Sequence, residues 1–407
     1  MNGRAHVIQD YDVSEPLDTD FYRVFSDIPE ADRAAWHTAR GFVEEIWPTI
    51  NEAWENADYP LERVRRMGEL GLLNDGVAGD GLRTLSPLAA GLVTMEVSRG
   101  DGSLGTIIAI QGGLALRTIA LHGSPAQKAR WLVPVERAEE LAAFALTEPL
   151  HGSDSVALET TAVPDADGWV INGTKKWIGH GLGGAVTIVW ARVPSDNPEH
   201  RGGPVRGFLV PQDTPGYSAE VLTGKMALRS VHQTRITLDN VRVPEDAVLP
   251  GTQSFADTST VLYATRLGVA WSALGHAVAC YEAALNYSRQ RVQFGRPLTQ
   301  SQIVQERLTQ MLSDIISMQM HCKHLAELDA RGELDPVMAS MAKYTCTRKA
   351  RAVASLARDM MGANGVLLEN HVIRHLIDME AVHTYEGTES IQALLIGRRI
   401  TGESAFR

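Results

Sequence analysis

The feature that most constrains this chain is the order of its apolar periodicities: helical first, strand-like in the middle, helical again to the end. Phe42, Ile46, Ile50 and Trp54 recur at fourfold spacing, and Leu88, Leu92 and Met95 continue a helical stripe. Short β-rich runs follow at Trp169 to Ile171, Val186 to Val193 and Gly207 to Val210, and Asn172-Gly173 reads as a hairpin turn. From about 253 onward Val304, Leu308, Met311, Leu312 and Ile315 form one face of a long helix. Elements segregated in this way argue against an alternating βαβ sheet. The expected division is a helical domain over 1–142, a strand-rich domain over 143–252 and a second helical domain over 253–407.

Several function classes are set aside by composition and motif context. A formal net charge of −11 disfavours a general nucleic-acid or anionic-membrane surface. Cys280, Cys322 and Cys346 are far apart and lack CxxC spacing, so they read as plain buried thiols and not as a disulfide framework or metal site. The start, MNGRAHVIQDYDVSEP, has no apolar run behind a basic segment, and the end, SAFR, is not a peroxisomal address. With no uncharged apolar stretch of spanning length, a soluble cytoplasmic protein is expected. Gly100, Gly102 and Gly105 satisfy GxGxxG, but the preceding LAAGLVTMEVSR reads as a helix and no acid lies between Pro125 and Pro134. The reading is a glycine-rich helix junction, which argues against the nicotinamide-dependent class.

Four segments carry groups suited to chemistry, and each has a plain structural alternative. Phe144 to Ser155 combines hydroxyls with a Gly-Ser-Asp turn, which a loop tied by side-chain-to-backbone bonds would also show. Arg291 to Leu298 offers guanidinium groups for phosphate, or a solvated basic helix end. Asp359 to Gly365 allows close backbone approach to a ligand, or a left-handed helix cap. Tyr385-Glu386-Gly387-Thr388 places a carboxylate just ahead of an N-cap, where dipole compensation alone would account for it.

Taken in order, these segments resemble the acyl-CoA dehydrogenase superfamily over nearly the whole chain. ALTEPLHGSDSVA fits its first pattern, and DMMGANGVLLENHVIRHLID its second, with Ala363 where Gly or Ser is usual. VHTYEGTESIQALLIGRRITG is similar to the glutaryl-CoA dehydrogenase branch and to plant short-chain acyl-CoA oxidases. The resemblance implies a mainly α protein with a central β barrel and a C-terminal four-helix bundle, binding FAD and acting in fatty acid metabolism as a homodimer or homotetramer. It also implies an acyl-CoA substrate and an electron-transferring flavoprotein as partner. Leu146, Thr147, Ser153, Trp177 and Gly179 would lie at the flavin, with Ser153 also near the pantetheine arm. Arg291, Gln293, Phe294, Gln302, Asp359, Gly362 and Ala363 would hold the FAD of a neighbouring subunit, and Thr388 and Ser390 would touch the flavin. Arg266, Tyr385 and Gly387 would bind substrate, with Glu386 as the base that takes the α-proton.

Besides Ala363, two departures from the pattern matter for function. Gly179 stands in WIG where most dehydrogenases of the family have WIT, which removes a hydroxyl donor to the flavin and keeps an oxidase reading beside the dehydrogenase one. Gly105 stands where glutaryl-CoA dehydrogenases have an Arg for the distal carboxylate, so an uncharged short or medium acyl chain is expected. A catalytically idle flavin or acyl-CoA binding protein is the alternative of another class.

Overall fold

The computed structural model describes residues 11–14, 17, 19–195 and 203–405. Most of the N-terminal run read above for a leader, and the last two residues of SAFR, lie outside them. Helices α1 (Glu30–Ile46), α2 (Ile50–Asn56), α3 (Leu61–Leu70), α4 (Pro87–Gly100), α5 (Gly102–Ile108), α6 (Arg117–His122) and α7 (Pro125–Glu136) come first, with a π-helical stretch over Ala109–Leu116. Phe42, Ile46, Ile50 and Trp54 are all buried, although Trp47–Thr49, containing Pro48, interrupts the helix between them. Gly102–His122 is apolar and long enough to cross a membrane, but it is mostly buried inside the protein.

The three glycines of the GxGxxG run mark the α4–α5 junction. Asp101 caps α5 by accepting the amide of Ser103 at 2.6 Å. A Cβ on Gly100 would lie 2.6 Å from Val43 Cγ1, and one on Gly102 would lie 2.5 Å from the His276 ring. Close helix packing accounts for both glycines.

The middle strands are β1 (Ala142–Ala145), β2 (Thr161–Asp165), β3 (Gly168–Gly179), β4 (Val186–Arg192), β5 (Val205–Pro211), β6 (Tyr217–Val221) and β7 (Gln233–Pro244). They form one sheet curled into a half-barrel, in the order β1-β4-β2-β3-β7-β6 with β5 also on β4. Alternation along the strands puts Phe144, Val186, Ile188 and Trp190 against Ile119, Trp131 and Leu132 of the helices. Ala143, Ala145, Val189, Phe208 and Ile236 fill the other face. The Asn172-Gly173 hairpin expectation is corrected: both residues lie inside β3 at a bulge, and the reversal occurs at Ala166-Asp167, between the paired Asp165 and Gly168. Asn172 Oδ1 accepts the amide of Asn240, and a Cβ on Gly173 would lie 2.4 Å from Thr160 Oγ1, so packing rather than turning selects this pair.

The C-terminal helices are α8 (Phe255–Gln290), α9 (Gln302–Ala330), α10 (Pro336–Met360), α11 (Val372–Thr384) and α12 (Glu389–Thr401), with a small hairpin of β8 (Val292–Gln293) and β9 (Arg296–Pro297). The 36-residue α8 starts at a capping box made by Ser254 and Asp257. It lies so close to α4 that a Cβ on Gly275 would sit 2.1 Å from the Met95 carbonyl oxygen, and one on Gly91 2.2 Å from the Trp271 ring. Beyond that contact, Arg99 of α4 is sealed between Glu96 at 2.6 Å and Glu282 of α8 at 2.7 Å and also donates to the Val13 carbonyl at 2.9 Å. The three cysteines are buried and free.

Gly275→Ala is therefore expected to destabilise the protein by about 1–3 kcal/mol, because the clash is with backbone that cannot rotate away. Gly41→Ala, on an exposed helical face with nothing within 4 Å, serves as the control and is expected to hold or raise stability. Equal melting temperatures for Gly275→Ala and the parent would refute the close-approach account.

Candidate active site

The chain leaves α11 at Tyr385 and enters α12 at Glu389 through a turn in which Glu386 has φ 56° and Gly387 has φ 85°. A left-handed non-glycine residue costs about 1–2 kcal/mol, so neighbouring contacts must over-determine it. They do so from two helices. The buried Lys343 ammonium of α10 donates to the carbonyls of both Tyr385 and Gly387. Gln392 Nε2 of α12 donates to the Glu386 carbonyl at 2.8 Å and to that of Gly387 at 3.2 Å. Thr388 caps α12, as its position predicts, by accepting the amide of Ile391. A Cβ at 387 would lie 2.5 Å from Gln392 Nε2, so the turn needs glycine there.

The Glu386 carboxylate accepts the Thr265 hydroxyl of α8 at 2.9 Å. Burial raises its pKa, opposed by the Thr265 bond and by the nearby Lys343 and Arg266 cations. Burial likewise pushes Lys343 down to about 7, while the charge of Glu386 acts in the other direction. Arg266 donates to Ser340 Oγ at 3.0 Å and lies over the Tyr263 ring at 4.5 Å. A carboxylate displaced toward neutrality, flanked by two buried cations, is suited to taking and holding a proton.

Thr265 and Tyr385 also line a cavity with about 10 Å³ open to the centre of a water, which is room for one such molecule. Its other walls include Asp75, Thr94, Gly105, Ala109 and Ser272. A Cβ on Gly105 would sit 2.1 Å from Ser98 Oγ, so neither an arginine nor any smaller side chain fits at 105 without rearrangement. Ile110, next in the chain after the wall residue Ala109, packs on the end of β3, where a Cβ on Gly179 would lie 2.4 Å from Ile110 Cδ1.

Glu386, Tyr385, Gly387, Thr388 and Arg266 thus come together in one place. Leu146 and Thr147 extend β1, and the Thr147 carbonyl accepts the amide of Lys176 at 2.9 Å, which brings them beside Trp177. Trp177 sits at a β3 bulge with φ 67° and half its indole exposed. Ser153 is on an exposed loop, and Ser390 is in the exposed first turn of α12. These groups suit FAD: an exposed indole face for a ring, and the Thr388 hydroxyl with the first amides of α12 for phosphate.

The remaining residues are gathered elsewhere. Arg291, Gln293 and Phe294 are on the hairpin after α8, with Phe294 fully exposed at its tip, and Gln302 begins α9. Asp359, Gly362 and Ala363 follow closely, since Asp359 pairs with Arg307 at 2.7 Å and Asn364 donates to the Tyr287 hydroxyl at 2.8 Å. Along α8, Arg266 and Arg291 are separated by roughly 37 Å at about 1.5 Å per residue. Lys343, Thr265 and Gln392 were not anticipated from sequence. Lys343 carried a signal, a lone cation on the small-residue face of Ala339, Ala342, Cys346 and Ala350, whereas Thr265 and Gln392 had none.

Three domain descriptions of one family match the chain in order: acyl-CoA dehydrogenase, N-terminal domain over residues 29–139, middle domain over 143–241 and C-terminal domain over 255–401. The human mitochondrial short-chain specific acyl-CoA dehydrogenase is 33% identical over 374 residues, covering 91% of this chain and 90% of that protein. A glutaryl-CoA dehydrogenase structure from Mycobacterium smegmatis superposes with a TM-score of 0.91 at 36% identity, covering 95% of this chain and 99% of the other. A second from that organism, in complex with FADH2, gives 0.91 at 32% identity, with 96% and 99% covered. With these matches spanning the helical, strand and bundle segments alike, the chain belongs to the acyl-CoA dehydrogenase family of FAD-dependent oxidoreductases.

Proposed function

We propose that this enzyme desaturates a short, uncharged acyl-CoA to its trans-2-enoyl-CoA, with Glu386 removing the α-proton. The observation that carries this reading is the strained left-handed Glu386, held by Lys343 and Gln392 and raised in pKa by burial. An α-proton beside a thioester is weakly acidic, so the base must be both desolvated and fixed in position. Thr265 orients the carboxylate, and the Glu386 backbone N–H would receive the thioester oxygen as charge builds there. Bound FAD supplies the acceptor for the β-hydride, at its N5. Leu146, Thr147, Ser153, Trp177, Gly179, Thr388 and Ser390 are assigned to holding it, and Arg266, Tyr385 and Gly387 to the substrate.

The Arg291 and Asp359 cluster lies too far along α8 to reach the same flavin from within one chain. This supports a dimer or tetramer in which it completes a neighbour's FAD site, with Phe294 reaching across. The proposed domain limits remain 1–142, 143–252 and 253–407. Electron-transferring flavoprotein is the proposed acceptor, in keeping with the dehydrogenase relatives. A short-chain oxidase passing electrons to O2 is the second reading, favoured by Gly179, whose missing side-chain space is filled by apolar Ile110. Reoxidation of the reduced enzyme by oxygen and by the flavoprotein, compared directly, decides between them.

Glu386→Gln is expected to retain FAD and ligand binding while losing about 10²–10⁴-fold in turnover, read by steady-state rates beside the flavin spectrum. Parent-like turnover would sink the assignment. Because Glu386 must be ionised to act and its pKa is raised, kcat/KM falls as pH drops through that raised value. Lys343→Met removes a cation that lowers the Glu386 pKa, so this acid limb should move to higher pH; an unmoved limb would exclude the coupling. Glutaryl-CoA should bleach the flavin far more slowly than butyryl-CoA in anaerobic mixing, since Gly105 offers no cation; equal rates would refute an uncharged substrate.

A further inference from the structure

Resting on that reading, we propose that Asp378 is a positioning residue, tying the helix that leads to Glu386 to the segment that leads into the flavin-side strands and so setting the separation of base and flavin. The α-proton goes to Glu386 and the β-hydride to the flavin, so both must stand at the right distance from one acyl chain. The groups that bond Glu386 and its turn, Lys343, Gln392 and Thr265, all come from the C-terminal helices α10, α12 and α8. Trp177 and Gly179, assigned to the flavin, stand on β3 of the sheet. A tie between helices and sheet is required as well, and Asp378 supplies one.

Asp378 lies on α11, fully buried, about 9 Å along the helix from its last residue Thr384. Its Oδ1 accepts the backbone amide of Leu228 at 2.6 Å and the indole N–H of Trp54 at 3.0 Å, and its Oδ2 is 3.2 Å from the same indole nitrogen. One carboxylate thus joins α11, α2 and the segment ahead of β7. Leu228 is itself left-handed, with φ 49°, and buried, so its backbone is held from outside as that of Glu386 is. Five residues on, Gln233 and Thr234 of β7 pair with Gly179 and Ile178 of β3. The same segment grips the end of α2, since Arg229 Nε donates to the Trp54 carbonyl at 2.9 Å and Ser230 Oγ to that of Ala53 at 3.2 Å. Segment and α2 therefore form one unit, and Asp378 fastens it to α11.

The choice of a carboxylate there does not serve stability. Burial and the charge of Asp101 push Asp378 up to about 7, against the Leu228 amide, Arg374 and Trp54. A carboxyl whose pKa is raised on folding costs stability at every pH where it is ionised. An apolar residue of similar size would avoid that cost. What the ionised group supplies is two charge-assisted bonds to donors from separate segments, shorter and stronger than neutral ones. Strong bonds fix distance, and distance is what base and flavin must share.

The test mixes FAD-loaded parent, Asp378→Ala, Asp378→Asn and Trp54→Phe anaerobically with butyryl-CoA in buffered D2O at about pH 8.5, above the Asp378 value of about 7. Two rates are read: flavin bleaching, and deuterium entering Cα without entering Cβ. Exchange at Cα requires Glu386 to take a proton and return a deuteron, whereas bleaching also requires the flavin at the right distance. Asp378→Ala is expected to lose roughly tenfold to hundredfold in bleaching while exchange persists, so the ratio of exchange to bleaching rises. Asp378→Asn keeps Oδ1 as an acceptor and should bring the ratio back toward the parent's. Rates that fall together in Asp378→Ala, or stay unchanged, or an asparagine no better than alanine, overturn the positioning role and leave the desaturase reading intact. Should Asp378→Ala not load FAD, Trp54→Phe decides: it removes one donor and keeps a ring, and an unchanged ratio there overturns the proposal. A parent showing neither bleaching nor exchange overturns the desaturase reading itself, and this inference with it.

Discussion

The approach of α8 to α4, possible only because Gly275 and Gly91 carry no side chains, is the constraint on which the rest of the molecule depends. A helix of 36 residues held this tightly acts as a rigid rod, and most of the functional geometry is measured along it. Thr265 and Arg266 near its start meet Glu386, Ser272 one to two turns later lines the small cavity beside Tyr385, and Tyr287 near its end anchors Asn364 of the distant cluster. The buried Arg99, shared between Glu96 and Glu282, prevents the two helices from sliding, since any shift would strand a charge out of water.

The active-site turn takes its shape from this frame. Glu386 is not held by its own helix but by donors from α10 and α12 that reach its flanking carbonyls, so a locally unfavourable backbone persists. Lys343 acts twice there. Its N–H groups pin the turn, and its charge lowers the Glu386 pKa against the rise that burial causes. Removing one ammonium would therefore disturb both geometry and protonation, an economy common where burial makes each charge strong.

Legibility varied with the range of the physics involved. Phe42 through Trp54 and the α9 stripe were readable because amphipathic period is a local property that burial merely confirms. Thr388 was readable as an N-cap for the same reason. Asn172-Gly173 misled because the pair also serves at a bulge, and only the approach of Thr160 and Asn240 from other strands decides which use applies. The GxGxxG run was correctly set aside on context, and Val43 and His276 show what its first two glycines accommodate.

What the sequence by itself determined is the order of helical and strand segments, the family those segments resemble, and the identity of Glu386 as the carboxylate of interest. These follow from period, turn chemistry and motif, all written along the chain. Only the tertiary structure decided that Glu386 is left-handed and raised in pKa, that Lys343 and Thr265 belong to its surroundings, and that Thr94, Thr265, Ser272 and Tyr385 line one small cavity. Thr94, Thr265 and Ser272 are unremarkable where they stand in the sequence. Their meaning comes from desolvation and shared space, which exist only after the helices have packed.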